Sequence, residues 1–131
     1  MSIVLDTSLL IELEQNNRSV LRELAILRKT YPDDPYIPFI SYFEFLVGLK
    51  NKKQHNISKA LEFIEKFPFL NIKKETARIL SDLKYNYEKK GITLPLADLL
   101  IAAQTIENNM TLVTMDKGFE RIEELKKIII L

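Results

Sequence analysis

Short apolar runs alternating with stretches of helical periodicity set the tightest limit on this fold. Ile3-Val4-Leu5 is brief and partly β-branched, suited to a strand buried on both faces, and it stops at Asp6-Thr7-Ser8. Leu9, Leu10, Leu13, Val20, Leu21, Leu24 and Leu27 then recur at near-helical spacing, broken by Asn16-Asn17, which predicts a short helix and a longer one. Tyr31 to Pro35 reads as a loop. Tyr36 to Ile40 predicts a second strand, and Pro38 fits it only if the strand starts late or lies at an edge.

Ser41 is placed to cap a following helix, with Glu44 at the capping-box spacing in its first turn. Leu46, Leu49, Ile57, Leu61, Ile64 and Phe67 extend the pattern across a polar break at residues 51–56, predicting a pair of helices closed by Pro68. Phe69 to Ile72 predicts a third strand. Ala77, Leu80, Leu83 and Tyr87 share one face of a helix ending at Gly91, and Pro95 opens another that carries Leu96, Leu99, Leu100, Ala103 and Ile106. Met110 to Val113 predicts a strand, Gly118 to Lys127 a short helix and Ile128 to Leu131 a terminal strand. Strands alternating with helices in this way predict an α/β chain with a parallel sheet covered on both faces.

With 131 residues and 47% hydrophobic residues, the chain has the size and apolar content of one domain. Lys and Arg total 19 against 18 Asp and Glu, so the net charge of +1 gives no bulk attraction for nucleic acid, and any such binding needs a local basic patch. No cysteine is present, and one histidine, His55, cannot build a multi-imidazole centre; carboxylates are the metal ligands left in quantity. The N-terminal residues carry no secretory pattern and no apolar stretch reaches membrane-spanning length, so the expected location is the cytoplasm.

In open parallel sheets, ligands gather at the carboxyl ends of the strands. Asp6 follows the first strand directly, and Asp116 follows the strand ending at Val113 after Thr114 and Met115. Glu44 and Asp98 fall in the first turns of two helices that start from the same edge. Acids also favour helix N-termini for capping and dipole reasons, so position alone does not make a site. The surroundings add weight: Asp98 lies between Leu94-Pro95-Leu96-Ala97 and Leu99-Leu100-Ile101-Ala102-Ala103, and Glu44 between Tyr42-Phe43 and Phe45-Leu46-Val47. A carboxylate in so apolar a helix needs a partner or a cation. Four converging acids repel one another unless a hard divalent ion such as Mg²⁺ or Mn²⁺ offsets them, and phosphodiester hydrolysis by a metal-activated water is the reaction this predicts.

Four blocks carry a family resemblance over nearly the whole chain: Ile3-Val4-Leu5-Asp6-Thr7-Ser8-Leu9-Leu10-Ile11, Ser41-Tyr42-Phe43-Glu44-Phe45-Leu46-Val47-Gly48, Asp98-Leu99-Leu100-Ile101-Ala102-Ala103 and Leu112-Val113-Thr114-Met115-Asp116-Lys117-Gly118-Phe119. Each alone is weak; their order and spacing together are specific. The chain resembles the PIN-domain nucleases, and among them the VapC-type toxins of prokaryotic toxin-antitoxin pairs. The resemblance implies a single PIN-like domain over residues 1–131, a three-layer α/β/α sandwich with a short central parallel sheet, and Mg²⁺- or Mn²⁺-dependent cleavage of RNA. In the toxin branch it implies homodimers and a protein antitoxin. One departure stands out: many relatives carry a further acid just before the Phe of the last block, where this chain has Gly118.

The expected metal ligands are thus Asp6, Glu44, Asp98 and Asp116, with Thr114 placed to orient them through hydrogen bonds and Thr7 read equally as an orienting group or as a simple turn or cap hydroxyl. Lys50, Lys52 and Lys53 form the densest basic run, and Lys117 adjoins Asp116; these are the expected contacts to an RNA backbone, although a solvated helix end explains the first three equally well. His55 reads as a surface residue. Phe39, Phe43, Phe45, Phe63, Phe67 and Phe69 read as core, or as a dimer surface where one core cannot hide them all. Two alternatives compete with the nuclease: a PIN-fold scaffold or RNA-processing subunit without an antitoxin, and a phosphoacceptor signalling domain. The second normally needs paired acids after the first strand, where this chain has Asp6 followed by Thr7-Ser8.

Overall fold

The computed structural model describes residues 1–130. Strand β1 (Ile3–Leu5) pairs in parallel with β4 (Thr111–Thr114), Ile3 opposite Thr111 and Leu5 opposite Val113, and β4 pairs in parallel with β5 (Lys127–Ile129). A second parallel pair, β2 (Ile37–Pro38) with β3 (Phe69–Leu70), meets β1 through Tyr36. There the Leu5 N–H donates to the Tyr36 carbonyl at 3.0 Å and the Tyr36 N–H to the Ile3 carbonyl at 2.9 Å. The spatial order is therefore β3-β2-β1-β4-β5, with every pairing parallel.

The two-residue period of a strand sends neighbouring side chains to opposite faces, and here it divides the core into two. Ile3, Leu5 and Val113 pack with Leu9, Leu10 and Leu13 of α1 (Thr7–Glu14), Val20 of α2 (Arg18–Thr30), Phe45 and Leu49 of α3 (Phe39–Leu49) and Ala60 and Ile64 of α4 (Gln54–Ile64). Val4 and Leu112 face the other way, onto Leu83 and Tyr87 of α5 (Lys74–Lys89) and Leu99, Ala102 and Ala103 of α6 (Leu96–Glu107). Phe119, Ile122 and Leu125 complete that second core. The result is the expected α/β/α sandwich.

Several boundaries differ from the sequence reading. The second strand is confined to Ile37–Pro38, and it is not an edge: Tyr36 links it to β1 on one side and β3 flanks it on the other. Pro38 is tolerated because it ends the strand and leads straight into α3, so no N–H is needed from it. Helix α3 begins at Phe39, which moves Ser41 from the expected cap into the helix interior and Glu44 from the first turn into the second. Its first amide is satisfied from a distance: the Phe39 N–H donates to Oε1 of fully buried Gln104 at 2.9 Å, while Gln104 Nε2 donates to the Leu70 carbonyl at 2.9 Å.

The third strand is likewise shorter, Phe69–Leu70. The helix expected over 118–127 is only a 3₁₀ segment, Lys117–Arg121, because the chain must turn at once to feed β5. The last strand runs over Lys127–Ile129, and Leu131 lies outside the described residues. Gly91, with φ +79°, takes the left-handed turn after α5. No helix among the described residues is long and apolar enough to cross a membrane.

Candidate active site

Asp6 leaves β1 at its carboxyl end with extended backbone and caps α1. It is 3% exposed, and its carboxylate is already heavily engaged. Oδ1 accepts from the Leu9 N–H at 3.1 Å and from the Ser8 hydroxyl at 3.2 Å, and Oδ2 accepts from the Thr114 hydroxyl. A carboxylate offers roughly four lone-pair positions, so one direction is left for a further ligand. Burial pushes the Asp6 pKa above its ordinary value, while the hydrogen bonds from Thr114, Leu9 and Ser8 pull it back.

Thr114 closes β4 and is fully buried. Its hydroxyl gives its proton to Asp6 and accepts the Asp116 N–H at 2.9 Å, so one side chain ties together the ends of two adjacent strands. Asp116 then caps the 3₁₀ segment, Oδ1 accepting from the Gly118 N–H at 2.8 Å. A Cβ at position 118 would stand 3.1 Å from that same Oδ1. A side chain at position 118 would therefore require the Asp116 carboxylate to give by a few tenths of an ångström.

Glu44 and Asp98 are both half-buried and come from two helices that pack on each other, α3 and α6. Thr7 Oγ1 donates to Glu44 Oε1, fixing the glutamate against the start of α1. Asp98 is the third residue of α6, which opens after Pro95 as the sequence predicted. Asp6, Glu44, Asp98 and Asp116 line one open cleft of about 180 Å³, floored by Ile101 and Phe119.

The acids influence one another there. Burial is the main cause of a raised pKa at Asp98, followed by the negative charges of Asp116, Asp6 and Glu44, with Arg121 opposing them. Yet no three acidic or histidine side chains among the described residues stand close enough to enclose an ion as placed. The carboxylates thus influence one another across the cleft without three of them standing together at one point. The donor set is all oxygen and strongly anionic, which fits a hard divalent cation that keeps several waters and does not fit a soft metal.

The basic residues divide. Lys52 forms an ion pair of 2.9 Å with Glu14, whereas no ion pair is formed by Lys50, Lys53 or Lys117 among the described residues. Lys50 ends α3, where the helix dipole favours a cation, but Lys53 heads α4, where it does not. Lys50, Lys53 and Lys117 are exposed, and so is His55, which lies away from the cleft in α4. Arg121, the cation that acts on Asp98, escaped the sequence reading because an arginine in a short polar helix carries no signal of its own. Gln104 escaped too, although a glutamine inside Ile101-Ala102-Ala103-Gln104-Thr105 is a polar residue in an apolar run and could have been flagged.

The sequence profile of the PIN domain matches residues 3–125. This chain belongs to the PIN domain family. The PIN chain is 33% identical over 132 residues to Ribonuclease VapC of Rickettsia bellii, covering 96% of this chain and 94% of that protein. It is 32% identical to Ribonuclease VapC1 of Methanocaldococcus jannaschii, over 93% and 82% of the two chains. Among solved structures, a chain of VapBC2 from Rickettsia felis, bound to a DNA fragment from their promoter, superposes over 100% of both chains with a TM-score of 0.86 and 27% identity. A chain of DNA-bound VapBC from Salmonella typhimurium, 21% identical, shares the PIN fold with a TM-score of 0.84 over 98% of each chain.

Proposed function

We propose that this PIN domain, occupying residues 1–131 as a single unit, is a divalent-metal-dependent endoribonuclease that hydrolyses RNA phosphodiester bonds as the toxin of a VapBC-type pair. The observation that carries the reading is the single cleft into which Asp6, Glu44, Asp98 and Asp116 converge from four separate parts of the chain. The ribonuclease names of relatives matched along nearly their whole length support it.

Asp6, Asp98 and Asp116 would hold Mg²⁺ or Mn²⁺, with Glu44 at the cleft wall contacting the ion directly or through water. Such an ion acidifies water and offsets the charge that builds on a phosphate during hydrolysis. Thr114 orients Asp6, and its acceptance of the Asp116 N–H fixes where the Asp116 chain turns. Thr7 orients Glu44. Ile101 and Phe119 supply the apolar part of the cleft lining. Lys50, Lys53, Lys117 and Arg121 are exposed and available to phosphates along the strand.

A protein antitoxin is the partner this reading implies, supported by the likeness of the chain to one in a toxin-antitoxin complex from Klebsiella pneumoniae, 25% identical with a TM-score of 0.74. A second copy of the chain is the occupant we assign to Phe39, Phe43 and Val47, apolar residues 41–51% exposed at four-residue spacing along one face of α3.

The test is cleavage of RNA by the purified protein with Mn²⁺, with Mg²⁺ and with chelator, alongside Asp6→Asn and Asp98→Asn. Metal-dependent cutting that both substitutions abolish is the expected result. Cutting that survives chelation or both substitutions would overturn the assignment.

A further inference from the structure

The acidic cleft has a neighbour. A separate cavity of about 140 Å³ opens between α1 and α3, and Glu44 lines both. Its walls are apolar: Ile11 on the α1 side, and Phe45 and Leu49, 4% and 5% exposed, on the α3 side. Its rim is polar, formed by Gln15 and the Glu14–Lys52 ion pair. Gly48 sits in the α3 wall, and a Cβ added there would meet nothing within 4 Å. Gly48, the last residue but one of α3, leaves that part of the wall without a side chain, and only a side chain longer than a methyl group would reach into the cavity.

We propose that this cavity is a nucleobase subsite, receiving the base of a nucleotide next to the scissile phosphate and giving the enzyme its sequence preference. The proposal rests on the ribonuclease reading. Three features commit it to a base. The cavity is far smaller than the several hundred Å³ of a site for a whole drug-sized ligand, so it admits one ring system of a larger molecule. Apolar walls with hydrogen-bonding groups confined to the rim match a flat heteroaromatic ring that is apolar on its faces and polar at its edge. Glu44, shared with the acidic cleft and held by Thr7, places the cavity immediately beside the phosphate to be cut.

A mostly apolar pocket discriminates between ligands by roughly tenfold to a few hundredfold, not by the larger factors of a fully hydrogen-bonded site. The subsite is therefore expected to bias cleavage toward certain bases at one position, without excluding the others.

The experiment is cleavage of a randomised RNA pool with Mn²⁺, reading the bases that flank the cut. Wild type and Gly48→Ala are expected to share a preference at one flanking position. Gly48→Leu and Ile11→Trp, which narrow the cavity from opposite walls, are expected to lose that preference by about tenfold or more. The KM of both variants for the preferred sequence should rise, while kcat on the poorest sequence stays within about threefold. Ile11 is already 39% exposed, so its replacement keeps the test open if Gly48→Leu fails to fold. As a readout free of turnover, Gly48→Leu added to Asp98→Asn should weaken binding of the preferred oligoribonucleotide about fivefold or more. An unchanged preference and KM in a folded Gly48→Leu or Ile11→Trp protein would overturn the subsite and leave the ribonuclease standing; weakened antitoxin binding with unchanged preference would assign the cavity to the protein partner instead. A pool left uncut by wild type would overturn the ribonuclease reading and the subsite with it.

Discussion

The hydroxyl of Thr114 donates to the carboxylate of Asp6 across 108 residues of sequence, joining the carboxyl ends of two adjacent parallel strands. The same oxygen accepts the Asp116 N–H, so Thr114 is the hub on which two of the four acids are set. Thr114→Val keeps the shape and removes the hub. Loss of such a supporting hydrogen bond typically costs 10- to 100-fold in metal affinity, and a loss of about that size is expected in Mn²⁺ titrations. Thr114→Ser, which retains the hydroxyl, should recover most of it; no difference between the two variants would refute the orienting role.

Asp98 gives a pH-dependent signature. Burial and the charges of Asp116, Asp6 and Glu44 raise its pKa above the ordinary 3.8. The folded chain then holds this proton to higher pH than the unfolded chain does, so stability falls as pH rises from about 4 through the folded pKa, and the loss persists above it. Asp98→Asn removes that loss. In chelator at pH 7 the variant should melt above wild type, and the two should converge as pH approaches 4. With Mn²⁺ the order should reverse, since only wild type gains the stabilisation of a bound ion. A variant that melts below wild type in chelator at pH 7 would contradict the raised pKa.

Much of this was readable from the residues, and what was not has identifiable causes. The acids after β1 and β4 were legible because a strand ending in an acid points it at the sheet edge whatever the surrounding packing does. Glu44 was found for a partly wrong reason: Ser41 looks like a cap, but α3 starts at Phe39 because Gln104, 65 residues away, supplies the acceptor that a local cap would have supplied. Local capping rules cannot see a partner brought in by tertiary packing. The Lys52–Glu14 ion pair was invisible for the same reason, since nothing in the neighbourhood of Lys52 announces Glu14. The hydrogen bond from the Gly118 N–H to Asp116 became visible only with the Asp116 side chain in place.

Gln104 should be among the most costly residues to replace outside the cleft. Gln104→Leu strands the Phe39 N–H and the Leu70 carbonyl, and an unsatisfied buried group costs about 1–3 kcal/mol. A destabilisation of about 2–5 kcal/mol in urea unfolding is expected. A change below about 0.5 kcal/mol, within the range of an ordinary surface substitution, would show that the amide does not pin α3 and β3.

The exposed cations should separate from the paired one. Lys53→Ala and Lys117→Ala, tested for RNA binding across a salt series, should each flatten the log–log slope by about 0.7, the value for one lost phosphate contact to a single strand. Lys52→Ala should leave the slope nearly unchanged, because its charge is spent on Glu14. Equal slopes for all three variants and wild type would remove this surface from the RNA path.

The convergence of four carboxylates on one cation site is the central claim, and anomalous scattering from a crystal soaked in Mn²⁺ tests it most directly. The account predicts an anomalous peak in the cleft within about 2.0–2.4 Å of oxygens from Asp6, Asp98 and Asp116, with Glu44 beside it or bridged by water. No peak there at neutral pH, with the carboxylates still held at the cleft walls, would contradict it.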